Sequence, residues 1–182
     1  MALLDTPVCN FDWPAPDFEL QDPDGQTTTL LSAMGPKGLL VAFLCNHCPY
    51  VQAIAERLAE DTNELKATGV NTVAIMSNDY DLVPADSPAN MKAYAKLSGW
   101  TFPYLVDEGQ AVGKAYGAVC TPDFFGFNAH GGLQYRGRLD SAAMGNPDGR
   151  TRELVHAMRQ VAETGKGPQD QIPSMGCSIK WR

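Results

Sequence analysis

An apolar run, Leu39-Leu40-Val41-Ala42-Phe43-Leu44, stops at Cys45-Asn46-His47-Cys48-Pro49, and this junction restricts the chain more than any other stretch. Six apolar residues without polar alternation describe a strand covered on both faces, as a central parallel strand is. Beyond the junction Val51, Ile54, Leu58 and Leu65 share one helical face, with Gly69 as the stop. Pro49 falls in the first turn of that helix or just before it, where its missing N–H removes at most one intrahelical bond. The junction therefore delivers two cysteines to a helix N-terminus, with Cys45 expected at the N-cap or one residue away.

Unpaired N–H groups and the macrodipole at such a terminus favour an anion, so the Cys45 thiol is expected to ionise below the usual value of about 8.5. Two intervening residues in a first helical turn put the second sulfur within disulfide reach of the first. Cys45 is then the attacking sulfur, exposed on its turn, and Cys48 the resolving one. His47 adds a titratable group whose charged form also favours thiolate, which makes the disulfide easier to reduce. The alternative for Cys-x-x-Cys is half of a zinc site, but Cys9, Cys120 and Cys177 stand singly and no second pair has zinc spacing.

A chain of 182 residues, 44% apolar, can bury one full core and is short for two domains. We read 1–182 as a single domain with its core at about 15–164 and a tail at 165–182. A net charge of −7 without any basic block excludes nucleic acid and anionic membrane surfaces as natural partners. Five cysteines, an odd number in a chain too large to need staples, point to chemistry rather than scaffolding. The stretch from Met1 to Thr6 has no basic region and only a short apolar one, so a cytoplasmic location is expected.

Ordered along the chain, Phe18 to Leu30 reads as a hairpin turning at Asp22-Pro23-Asp24-Gly25. Val70 to Met76 is a second parallel strand, followed by a polar loop with Asp79 and Asp81. Ser87 caps a helix through Met91 and Tyr94 to Gly99, and Phe102 to Val106 is a strand that Pro103 assigns to an edge. Asp107 and Gln110 form a capping-box pattern before a helix ending at Gly117. A second hairpin enters through Thr121-Pro122 and turns at Ala129 to Gly132, with His130 in the turn. A closing helix carries Leu154, His156, Met158 and Val161, and the tail, with Ile179 and Trp181, is expected to dock on the body.

The strand, the Cys-Asn-His-Cys motif and the helix resemble the thioredoxin superfamily, and the His47 insert is similar to that of its disulfide isomerase and oxidase members. The Ala15-Pro16-Asp17-Phe18 entry and the Asp24-Gly25 hairpin resemble the redoxin branch, the alkyl hydroperoxide reductase and thiol-specific antioxidant relatives, over about Ala15 to Asp140. This resemblance implies an α/β, three-layer thioredoxin-like fold: a mixed central sheet, helices on both faces, an N-terminal β-hairpin extension and a C-terminal tail. It implies thiol-disulfide oxidoreduction through Cys45 and Cys48 without metal or organic cofactor. The implied partners are a disulfide-containing protein or a small thiol, and a reducing or oxidising redox partner. It further implies a cis Thr121–Pro122 bond against the cysteines, where the preceding backbone pairs with a bound extended peptide. Asn46, His47, Pro49, Cys120, Thr121 and Pro122 are the modulating and substrate-binding set.

The pattern also departs from its relatives. Peroxiredoxins carry proline seven and threonine three residues before their cysteine; those positions hold Gly38 and Ala42 for Cys45, and Val41 and Cys45 for Cys48. Thioredoxins place tryptophan one residue and a buried acid six residues before the first cysteine, where Leu44 and Leu39 stand here. The base that activates the resolving thiol is therefore open, with His47, Asp79 and Asp81 as candidates. Two alternatives remain: a redoxin-type peroxidase of low activity with Arg136 orienting peroxide, and a soft-metal (copper) protein using Cys45, Cys48 and Cys120.

Overall fold

Side chains alternate across an extended strand, so a strand apolar at every position must be covered twice. In the computed structural model, which describes residues 2–182, Leu40, Ala42 and Leu44 enter one hydrophobic layer and Leu39, Val41 and Phe43 the other, all of them fully buried. In chain order the strands are β1 (Leu3–Asp5), β2 (Glu19–Gln21), β3 (Thr27–Thr29), β4 (Gly38–Phe43), β5 (Val70–Met76), β6 (Tyr104–Val106), β7 (Cys120–Thr121), β8 (Asp123–Asn128), β9 (Leu133–Tyr135) and β10 (Met175–Ser178). The helices are α1 (Leu30–Ala33), α2 (Pro49–Ala67), α3 (Pro88–Ser98), α4 (Ala111–Tyr116) and α5 (Glu153–Thr164).

The main sheet has seven strands in the order β3-β2-β6-β5-β4-β8-β9. β4 lies near its middle, parallel to β5 and antiparallel to β8. α2 and α5 close one face with Val51, Leu58, Leu154 and Met158. The other face is closed by Tyr116 of α4 together with Phe18, Trp13 and Ile179. Arg150 and Arg152 bind the buried Asp61 of α2, and Arg57 binds Asp140, which fastens the segment before α5 against α2.

Two local expectations need correction. β6 is not an edge strand: it stands between β2 and β5. Pro103 lies just outside it and contributes only a carbonyl, which accepts from the Ala74 N–H at 2.9 Å, so no donor is missed. The expected capping box is absent as well. α4 begins at Ala111 after Gln110 in the left-handed region, and Asp107 instead accepts from the Val112 and Gly113 N–H groups. The freed Gln110 amide donates to the Ser77 and Lys180 carbonyls.

The tail is built into the body as part of a second sheet. β10 pairs antiparallel with β1 on one side and with β7 on the other, in the order β1-β10-β7. Ser174 Oγ donates to the Pro122 carbonyl at 2.8 Å, the Ile179 N–H to the Val119 carbonyl, and Ile179 itself is buried. Gly176 permits this approach, since a Cβ there would stand 2.0 Å from the Thr121 carbonyl oxygen. Gly176→Ala is therefore expected to destabilise the protein by about 1–3 kcal/mol through overpacking. It should also raise hydrogen exchange selectively in 174–182; exchange and melting temperature equal to wild type would contradict this docking.

Candidate active site

The cysteine loop is positioned by what lies on either side of it. β4 ends at Phe43, and Pro49 occupies the first position of α2, so the residue capping the helix is Cys48. This corrects the expectation for Cys45, which lies three residues earlier in the loop and is not exposed: both thiols are 0% accessible. Proline at the first helical position was the signal that places the cap at the residue before it.

Around the two sulfurs the structure gathers groups from β7 and β10. Cys45 Sγ is 3.1 Å from Thr121 Oγ1. Cys48 Sγ is 3.2 Å from the Thr121 carbonyl oxygen and 2.8 Å from Cys177 Sγ on β10. The Thr121–Pro122 bond is cis, as the resemblance implied. Its neighbour Cys120 has its side chain directed at the Pro122 carbonyl, 3.6 Å away, and burial pushes its thiol far up. The third thiol in contact with the pair is thus Cys177 and not Cys120.

Beneath the loop lies a carboxylate that sequence reading missed. Asp86, in a single 3-10 turn between Pro84 and Pro88, is 0% exposed and accepts from four donors. These are the Asn46 N–H (2.7 Å), the His47 N–H (3.2 Å), His47 Nδ1 (2.6 Å) and Asn78 Nδ2 (2.9 Å). Burial, the largest influence, opposes its ionisation, but the bonds from His47 and Asn78 bring it below the ordinary carboxylate range. Asn46 is held further by Tyr104 Oη, which donates to its Oδ1 at 3.1 Å, and by its own bond to the Ala85 carbonyl. An aspartate flanked by prolines reads as a solvated turn, and no pattern announces its burial. The acids named from sequence, Asp79 and Asp81, both pair with Arg182 and stand outside this cluster.

These neighbours divide the two thiols electrostatically. The Cys45 ionisation is raised by its hydrogen bond to Cys48, by burial and by the Asp86 charge. Cys48 moves the other way, below the ordinary thiol, because it accepts from Cys45, Cys177 and the Val51 N–H at the start of α2. Both directions favour the thiolate of the reduced pair on Cys48 over Cys45. Among the described residues, ligand atoms of Cys45, His47 and Asp86 lie within 4.8 Å of one another, but His47 Nδ1 and Asp86 Oδ2 already satisfy each other. Arg136, a candidate for orienting peroxide, is engaged elsewhere: it pairs with Asp123 and stacks 4.3 Å from the Phe125 ring centroid. His130 and His156 are exposed and remote from the sulfurs in the fold, one in the β8–β9 turn and the other on α5.

Beside Pro122 a cavity of about 320 Å3 is lined by Tyr50, Ile54, Leu139, Ile172 and Met175. It is mostly apolar in character and opens next to the β7 edge that β10 occupies.

A buried dithiol between a central strand and a helix N-terminus, facing a cis-proline, defines a thioredoxin-like protein. The chain belongs to the AhpC/TSA family, whose pattern it matches over residues 12–136. It is similar to an uncharacterised conserved protein of Geobacillus kaustophilus, whose crystal structure superposes with a TM-score of 0.93 at 39% identity, covering 100% of this chain and 97% of that one. Among curated proteins it is 27% identical over 117 residues to the thiol-disulfide oxidoreductase ResA of Halalkalibacterium halodurans, covering 64% of this chain and 62% of the relative. It is also 28% identical over 111 residues to the chloroplastic peroxiredoxin Q of Populus jackii, covering 61% of this chain and 47% of the relative. The matched region therefore spans about half to three fifths of those relatives' length.

The charge division has a direct spectroscopic consequence. In the reduced protein, thiolate absorbance near 240 nm is expected to rise at a pH well below 8.5, with the thiolate present above that step and lost beneath it. Cys48→Ser should abolish the step. Cys45→Ala should move it upward, because the Cys45 hydrogen bond is the largest cause of the lowering. Persistence in Cys48→Ser with loss in Cys45→Ala would reverse the assignment.

Proposed function

We propose that the protein is a thiol-disulfide oxidoreductase that exchanges disulfides with its substrates through Cys45 and Cys48. The observation that carries this is the buried dithiol at the start of α2, with Cys45 Sγ 3.1 Å from Thr121 Oγ1 and Cys48 Sγ 2.8 Å from Cys177 Sγ, beside the cis Thr121–Pro122 bond. The Cys48 thiolate attacks one sulfur of a substrate disulfide, forming a mixed disulfide while the other substrate sulfur leaves as thiolate and takes a proton. Cys45 then gives up its proton and attacks Cys48 Sγ, which forms the Cys45–Cys48 bond and releases the second substrate thiolate. The substrate gains two electrons and the pair loses two. His47, paired with Asp86 and within 4.8 Å of Cys45 Sγ, is the base in reach of that proton across one water.

Cys48 as the entering sulfur reverses the roles expected from the motif alone. In favour of the reversal, a sulfur carried on a strand along β7 meets Cys48, as Cys177 does at 2.8 Å. Release of β10 would free the β7 edge for backbone pairing with an extended peptide. A disulfide-containing protein or small thiol is the substrate class, and a separate dithiol reductant returns the pair to its starting state. A cytoplasmic setting, where thiols stay reduced, belongs to this proposal. Peroxidase chemistry is less well supported, because Arg136 is committed to Asp123 and no threonine stands three residues before Cys45.

Insulin reduction in the presence of dithiothreitol is the test. Wild type should accelerate it, and Cys48→Ser should lose about 100-fold or more. Cys45→Ser combined with Cys177→Ser should accumulate a mixed disulfide on Cys48. Full turnover by Cys48→Ser, or accumulation on Cys45 in the converse variant, would refute the scheme.

A further inference from the structure

The tail strand does more than cover the pair. Cys177 is aligned opposite Thr121 in the β10–β7 ladder, and its sulfur lies 2.8 Å from Cys48 Sγ. Three elements fix it there. Gly176 lets the backbones approach, β1 holds the far side of the strand, and Asn78 Oδ1 accepts from the Lys180 N–H at 2.8 Å. The last contact links the strand to the Asp86 cluster, since Asn78 also donates to Asp86. Cys177 is 4% exposed, so its sulfur has Cys48 as its neighbour and not solvent. At 2.8 Å the two sulfurs stand less than about 1 Å farther apart than in an S–S bond of about 2.05 Å.

We propose that Cys177 is a third redox cysteine, which takes the disulfide over from the Cys45–Cys48 pair and so locks the C-terminal strand across the substrate edge. This rests on the Cys45/Cys48 chemistry above. The Cys177 thiolate attacks Cys48 Sγ within the Cys45–Cys48 disulfide. The Cys48–Cys177 bond forms, the Cys45–Cys48 bond breaks with its electron pair leaving on Cys45, and the proton released by Cys177 ends on the Cys45 thiol. One disulfide is exchanged for another, so no outside oxidant or reductant enters.

Cys48 is the shared atom because it alone touches both other sulfurs. In the reduced state burial and the Cys48 sulfur hold the Cys177 thiol protonated, up to about 12, while Lys180 pulls the other way. Once Cys48 is in a disulfide it has no charge to repel a thiolate on Cys177, and that opposition is removed. The product has a functional meaning: an oxidised molecule whose β7 edge is filled by a covalently tied strand cannot pair with a second peptide. Reduction of the Cys48–Cys177 bond by the dithiol partner frees the strand and the pair together.

The experiment is a disulfide map of the full-length protein. Reduced wild type, Cys45→Ser and Cys177→Ser are oxidised with diamide, quenched in acid, blocked with N-ethylmaleimide and digested for peptide mass. Expected are an intrachain Cys48–Cys177 bond in nearly all Cys45→Ser molecules, and the same bond in at least half of oxidised wild type. Cys45→Ser molecules that carry Cys48 only in intermolecular disulfides, together with wild type linked only as Cys45–Cys48, would overturn the proposal. Cys177→Ser separates the two levels. A Cys45–Cys48 bond there, with no Cys48–Cys177 bond in Cys45→Ser, defeats the third-cysteine role alone; absence of the Cys45–Cys48 bond defeats the underlying scheme as well. Since Cys45→Ser leaves the strand unaltered, the decisive map does not depend on how a substitution at 177 is tolerated.

Discussion

Backbone pairing of Thr121 with Cys177 is the contact on which the site depends. It places a strand from the end of the chain along β7, beside Pro122, and brings together residues separated by more than 120 positions in sequence. Without it Cys48 would face solvent at the start of α2, as a redox cysteine ordinarily does. With it, both sulfurs are sealed, and a third thiol is set against them. The seal is made of hydrogen bonds on a short ladder and a modest apolar contact, features typical of segments that open locally at low free-energy cost. Access to the pair is thus a property of how firmly β10 is docked.

Asp86 governs the charge inside that seal. A buried carboxylate is tolerated only when its lone pairs are filled, and four donors fill these. Two are loop N–H groups, so the same bonds that satisfy the acid also fix the conformation of Asn46 and His47. Its negative charge then disfavours a second anion on Cys45, while the N-terminus of α2 favours one on Cys48. One residue therefore shapes the loop and adds to what disfavours an anion on Cys45. His47, which reads from the motif as a cation promoting the first thiolate, acts here through Asp86.

How much of this was legible follows the range of the interactions. The β4–cysteine–α2 junction, both hairpins, the Ser87 cap and the cis-proline could be read, because each is written in a local pattern of apolar spacing, turn residues or motif. The edge assignment of β6 failed because a proline just before a strand looks the same as one within it. The helix start was misplaced by three residues because the motif drew attention to its first cysteine, although Pro49 marks the second as the cap. Asp86 and Cys177 were beyond reach for a different reason. Neither has local periodicity, and both acquire their roles from tertiary contacts, one under the loop and one on a four-residue strand of the sequence Met-Gly-Cys-Ser. Cys120, two residues before the proline in sequence, drew the role that the fold gives to Cys177, because alternation along β7 turns neighbouring side chains to opposite faces.

The central claim is that the helix N-terminus and the three thiols gathered around it stabilise the reduced Cys45–Cys48 pair. Stabilising the dithiol state raises the potential of the couple, so equilibration of the wild-type protein against glutathione buffers tests it most directly. The account predicts a two-electron transition above about −230 mV, more oxidising than the value of about −270 mV typical of thioredoxin. A transition at or below about −270 mV would mean that the reduced pair has no such stabilisation, and would contradict the role given to these groups.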